Sequence, residues 1–205
     1  MIAASIGLDR FLVWRLPLAR ATALLPPGPP PVADGDHAWL LFAAARLERL
    51  RVGGCPLPPT QVAGWLIPCA LGGGAIGNAF LAGFSDRRLP AWGMGRLGIP
   101  RTRRIAIDHT EHRLDVAGEV AAEIGAERTV SGLEWFARDR CGLVPAAAGW
   151  RYLPLRKRSW AWRTRAVSLR ADFADSCSAE PLCAIDCSDD EAIWGLPRRL
   201  ELSGK

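Results

Sequence analysis

Lysine is nearly missing from this chain. Lys157 and Lys205 are the only two among 26 basic residues, so arginine carries the formal net charge of +5. Asparagine and tyrosine each occur once, as Asn78 and Tyr152, against nine tryptophans. With abundant Ala, Gly and Pro, this usage reflects a coding bias as much as chemistry. The N-terminus lacks a charged start, an unbroken apolar core and a small-residue cleavage site, because Asp9, Arg10 and Arg15 interrupt the apolar run, so no secretory signal is expected. The expectation is a cytoplasmic protein whose six cysteines stay reduced. No serine, cysteine or threonine sits in a nucleophile motif, so nothing positive points to an enzyme. No internal repeat is present.

What the chain does have is enough apolar content to fold. At 49% hydrophobic and 23% charged residues it is far from the polar profile of disorder. Residues 1–33 read as an apolar lead followed by a proline-rich linker, 34–171 as one globular domain, and 172–205 as an acidic, cysteine-bearing tail. Asp34 or Asp36 can cap a helix over 37–51 with Leu40, Leu41, Ala44, Leu47 and Leu50 on one stripe. Asp108 and Glu111 have capping-box character ahead of a helix over 109–125, carried by Leu114, Ala117, Val120, Ala121 and Ile124. Thr129 can cap a third over 129–140. Alternation around Trp160 and Trp162 predicts a strand or hairpin arm over 150–170. The predicted fold class is therefore α+β, with a mainly helical body and a C-terminal β arm.

From Val52 to Ser85 no side chain is charged, and residues 62–84 are long enough to span a bilayer. That stretch supports a second reading, a membrane-associated or structural interaction protein anchored through 62–84. Gly72, Gly74 and Gly77 match a dinucleotide-binding spacing, but Pro68 interrupts the run that a central parallel strand would need. No cofactor is therefore expected. Cys177, Cys183 and Cys187 lack zinc-site spacing. His109 and His112 fall on a predicted first helical turn and read as exposed polar residues, so no metal is expected either.

The leading functional expectation is nucleic-acid binding. Arg151, Arg156, Lys157, Arg158, Arg163, Arg165 and Arg170 occur without an intervening acid, and Trp160 and Trp162 are interleaved among them, a mixture suited to phosphates and stacked bases. Residues 119–140 also partly resemble a helix-turn-helix, with Ala121, Gly125, Val130 and Leu133 at the matching positions. The resemblance implies DNA binding by a small bacterial-type protein.

Overall fold

The structure is a computed structural model that describes residues 2–137, 140–147, 149–157, 161–169, 181–188 and 191–200. It is built of strands. In chain order these are β1 (Ile2–Pro17), β2 (Ala33–Asp34), β3 (His37–Leu47), β4 (Arg51–Val52), β5 (Cys55–Pro56), β6 (Thr60–Ala70), β7 (Ile76–Ser85), β8 (Arg103–Arg104), β9 (Ile107–His109), β10 (Arg113–Val116) and β11 (Val120–Glu127). They continue with β12 (Arg140–Ala146), β13 (Gly149–Lys157), β14 (Ala161–Leu169), β15 (Cys183–Ser188), β16 (Glu191–Trp194) and β17 (Arg198–Arg199). Two α-helices interrupt them, α1 (Leu18–Ala23) and α2 (Arg88–Arg96).

β1 is the central strand. It pairs antiparallel with β3 along one edge and with β15 and β16 along the other. From β3 the sheet continues through β6 to β7, and from β15 through β14, β11 and β10 to β9. The two arms then meet. β8 runs parallel beside the end of β7, and the Gln61 side chain of β6 donates to the Ile107 carbonyl at 3.0 Å and accepts from the His109 N–H at 3.0 Å. A side-chain amide thus stands in for a strand pair and closes the barrel.

Inside the barrel lie Leu12, Trp14, Phe42, Ile67, Phe84 and Leu114, part of one buried cluster. The opposite face of the same strands is also covered: Phe11, Val13, Trp39 and Leu41 pack against Leu133, Trp135 and Phe136. Strands buried on both faces read as continuous apolar runs, because alternation has no polar partner to reveal it. This is why 37–51, predicted as a helix, contains β3 instead. Leu40 and Leu41, placed on one helical stripe, face opposite clusters.

The other predicted helices are corrected in the same way. Residues 107–127 form β9, β10 and β11, with Gly118 at φ +72° in the turn between the last two, and Leu114, Val116, Val120, Ala122 and Ile124 all point inward. Among the described residues of 129–140 the helical segment is a single 3₁₀ turn, Glu134–Ala137. The helix-turn-helix is therefore absent: its first helix is a strand and its second is one turn. The apolar lead is β1, in the middle of the sheet. Residues 62–84 are β6, a glycine turn and β7; no described helix is long and apolar enough to cross a membrane, and the anchored reading fails on that topology. Because β6 and β7 are antiparallel, Gly72–Gly74 join a hairpin rather than opening a parallel βαβ unit. Over 150–170, β13 pairs with β12, β16 and β17 and β14 with β11 and β15, so both are integral to the sheets rather than an arm.

Candidate functional site

Two places in the fold bring polar groups together. The larger is a cavity of about 490 Å³ on the outer face of β1, β3, β6 and β7, walled on the far side by α2 and by β12 and β13. Its floor includes Phe11, Ala43, Gly64, Leu66 and Phe80, and α2 contributes Leu89, Trp92, Gly93, Met94 and Leu97. Small residues on β3 leave the volume open. The helix is held in place by its C-terminus: Gly98 at φ +92° donates to the Gly95 carbonyl at 3.0 Å, and Ile99 donates to Met94 at 3.1 Å. That is a Schellman arrangement, with the expected apolar contact between Met94 and Ile99. Ile99 then docks on β7 at Gly83, where a Cβ would come within 2.7 Å of the isoleucine side chain.

The opening is marked by lining residues that also face solvent. Trp92 is 61% exposed, Leu89 54% and Val52 43%. Val52 and Cys55 reach the cavity from the β4–β5 hairpin, whose Gly53–Gly54 turn has both residues at positive φ, the two-residue geometry that fits strand twist. Deeper in, the polar lining is Asp9, 5% exposed, and Asn78, whose Oδ1 is buried without a hydrogen-bond partner among the described residues. Cys141 also lines the wall, and burial pushes its thiol up to about 11, so it stays protonated at neutral pH. The chain's one asparagine, inside its longest uncharged run, was the sequence signal for this site.

The second place is an ionic cluster at one end of the barrel. Arg10, fully buried, donates through Nε to Asp186 Oδ1 at 2.6 Å and through Nη2 to Oδ2 at 3.0 Å. Its remaining donors reach the Thr110 and Glu111 carbonyls at 2.8 Å each. Arg165 donates to the Gly125 carbonyl at 2.7 Å and approaches Asp186 Oδ2 at 3.3 Å. One carboxylate thus serves two buried guanidinium groups, and their donors are spent on fixed protein acceptors, which makes the cluster a clamp across strands rather than an open anion site.

His109 lies beside this clamp, 3% exposed, with neither ring nitrogen partnered among the described residues. Burial lowers its pKa from 6.5 to about 3, and the Arg10 cation adds to the effect while Asp186 opposes it. The unfolded chain accepts a proton that the folded one refuses. Its contribution is therefore complete above about pH 6.5 and is lost as pH falls towards 3, at up to roughly 1.4 kcal/mol per pH unit. His109→Leu removes two unpartnered nitrogens and is expected to leave stability near neutral pH unchanged or higher while flattening its acid decline. Denaturant unfolding at about pH 7 and about pH 4.5 checks this; an undiminished decline would contradict it.

The residues predicted for nucleic acid do not form one surface. Arg165 is buried on Asp186, and Trp162 is half-buried with its ring 5.7 Å from that of Phe136. Arg163 is exposed and pairs with Glu127 at 3.0 Å; Arg151 is exposed on β13. Arg156 and Lys157 belong to β13, but their side chains, like residues Arg158, Trp160 and Arg170, lie outside the described residues. Sequence reasoning missed Arg10, Asp186 and the whole cavity.

No family model matches the chain, and no curated protein does. Solved structures do. The enduracididine biosynthesis enzyme MppR superposes with a TM-score of 0.67 at 16% identity, covering 100% of this chain and 89% of its own. That enzyme is also known in complex with pyruvate. Acetoacetate decarboxylase from Legionella pneumophila superposes at 0.61 with 15% identity, covering 97% of this chain and 88% of that one. An acetoacetate decarboxylase-like enzyme from Sphingomonas wittichii gives 0.58 at 16% identity, covering 98% and 92%. With the missing helix-turn-helix, these likenesses overturn the nucleic-acid reading, both as function and as partner. At such identities the likeness speaks for architecture, and the chain has the fold of the acetoacetate decarboxylase-like enzymes.

Proposed function

We propose that this protein binds a small, mainly apolar molecule carrying an O–H or N–H donor, in the cavity between the outer sheet face and α2. The observation that carries the reading is an apolar cavity of about 490 Å³, a volume in the usual range of ligand sites, with Asn78 in its wall; the Asn78 Oδ1 is buried just behind that wall without a partner among the described residues, and a turn of the carboxamide presents it to a ligand's donor. Asp9 is the other polar residue of the deep lining. The enzymes of this fold act on small molecules by name, and pyruvate is bound by MppR; both facts support a small-molecule ligand here.

Amine catalysis at this cavity would call for a lysine in its wall. A lysine that attacks a carbonyl substrate is activated by desolvation or by a neighbouring cation. No lysine lines the cavity among the described residues, which offer Asp9, Asn78 and the thiols of Cys55 and Cys141; the side chain of Lys157, on β13, lies outside them. Borohydride reduction in the presence of pyruvate decides it by mass spectrometry: a site that only binds leaves no stoichiometric lysine adduct, whereas an adduct mapped to Lys157 assigns imine chemistry to the cavity.

The binding reading is tested with octanol and methyl octyl ether, which share an apolar body and differ in the donor. The alcohol is expected to bind about fivefold to tenfold tighter, the worth of one buried hydrogen bond. Asn78→Leu should erase that preference in calorimetric titration. Equal affinity of the wild type for alcohol and ether would remove Asn78 from the site.

A further inference from the structure

The cavity is long for its volume. Its lining follows β1 from Ile2 through Ile6 and Asp9 to Phe11, and it stays on one face because the register shift between Ile6 and Leu8 brings odd-numbered residues onto the side of even-numbered ones. At roughly 3.3 Å per residue, and allowing for the bulge, that run measures about 25–30 Å. A volume of about 490 Å³ spread over such a length leaves a cross-section on the order of 16–20 Å². That is the girth of one polymethylene chain, too narrow for fused rings. Small side chains keep the run open: Ala45 stands in register between Asp9 and Val62, and Ala43 between Phe11 and Gly64. The ends differ, since Val52, Leu89 and Trp92 are exposed whereas Ile99 and Leu153 are buried.

We infer that the ligand's apolar body is a single unbranched alkyl chain lying along β1, and that Ala45, near the middle of the run, sets the length the cavity accepts. This rests on the cavity reading proposed above and adds the shape of the ligand to it. At about 30 Å³ for a group the size of water or a methylene, the volume holds roughly sixteen, so the chain has about twelve to sixteen carbons. The ligand class is then a long-chain alkyl or acyl compound rather than a ring system or a short keto acid. Each methylene added within the cavity removes the same increment of apolar surface from water, so affinity climbs steadily with length until the run is full.

The test is a calorimetric titration of the straight-chain alcohols from octanol to dodecanol, with cyclododecanol as a compact ring of apolar surface similar to that of decanol. In the wild type each added methylene is expected to tighten binding about threefold to fourfold. Cyclododecanol should bind at least tenfold more weakly than decanol, because the ring exceeds the girth of the cavity. In Ala45→Leu the added carbons block the middle of the run: octanol should keep its affinity within about threefold, and the gain towards dodecanol should vanish. The wild-type series decides by itself if that substitution lowers Tm. Octanol binding with no gain towards dodecanol, or cyclododecanol equal to decanol, overturns the alkyl chain and leaves the cavity reading standing. A full gain surviving in an Ala45→Leu variant of normal Tm overturns the course along β1. Silence of every alcohol overturns the cavity reading together with this one.

Discussion

Asp186→Ala is expected to destabilise the protein by about 3–5 kcal/mol, the cost of breaking a buried ion pair by removing one partner. Two guanidinium groups depend on that carboxylate, and both are buried in the barrel end, Arg10 completely. Without it they keep their carbonyl acceptors but lose the only opposite charge paired with them among the described residues. Nor can His109 compensate, since it is neutral and any charge it took up would be positive. For a chain of this size the loss corresponds to a fall in Tm of roughly 10–15 °C. Asp186→Asn keeps the shape and one acceptor and should fall between the two. As a contrast, Glu127→Ala breaks the exposed pair with Arg163 and should stay within about 0.5 kcal/mol. Thermal and denaturant unfolding of the three variants decides it: an Asp186→Ala loss no larger than that of Glu127→Ala would mean the clamp is incidental to stability.

Gly93→Phe is expected to abolish ligand binding in the cavity while leaving the fold intact. Gly93 lies on α2 in the cavity wall, and a Cβ built there meets nothing within 4 Å. The substitution therefore places a large ring in open space rather than forcing it into packed atoms, avoiding the usual penalty of overpacking. Replacing a helical glycine also removes a conformational cost of roughly 0.5–1 kcal/mol, so Tm should hold or rise. Affinity for octanol should drop by at least tenfold, a loss of about 1.4 kcal/mol. Undiminished affinity in a variant of normal stability would place the bound molecule elsewhere. The combination separates occupancy of the cavity from integrity of the protein, which an alanine scan of the floor would not.

Some of this was legible beforehand. The shortage of lysine, the single asparagine inside the uncharged run and the arginines around residues 87–104 are properties of the chain alone. Asp9 and Arg10 were visible as a charged pair inside an apolar stretch, which is the mark of a buried ionic partner as readily as of a broken leader. The stop signal at Gly98 is legible as a helix end, yet Gly93 and Gly95 lower the helix propensity of the segment before it and Pro90 sits in its first turn, so α2 carries only a weak signal of its own. Secondary structure failed where the strands are buried twice: in β3, the residues that alternate between two apolar environments carry no polar beat, and the Ala- and Leu-rich run satisfies a helical stripe equally well.

Composition and charge were therefore determined by the sequence itself, as were the rarity of amine side chains and the positions of the glycine turns at 53–54 and 118. Partnership was decided only by the tertiary structure. Arg10 and Asp186 are 176 residues apart in the chain and directly opposed in register across β1 and β15. The cavity needs the outer face of four strands, one helix and a hairpin at once. Local periodicity reports which residues share a face, whereas strand pairing is set by long-range burial that no window of the chain contains.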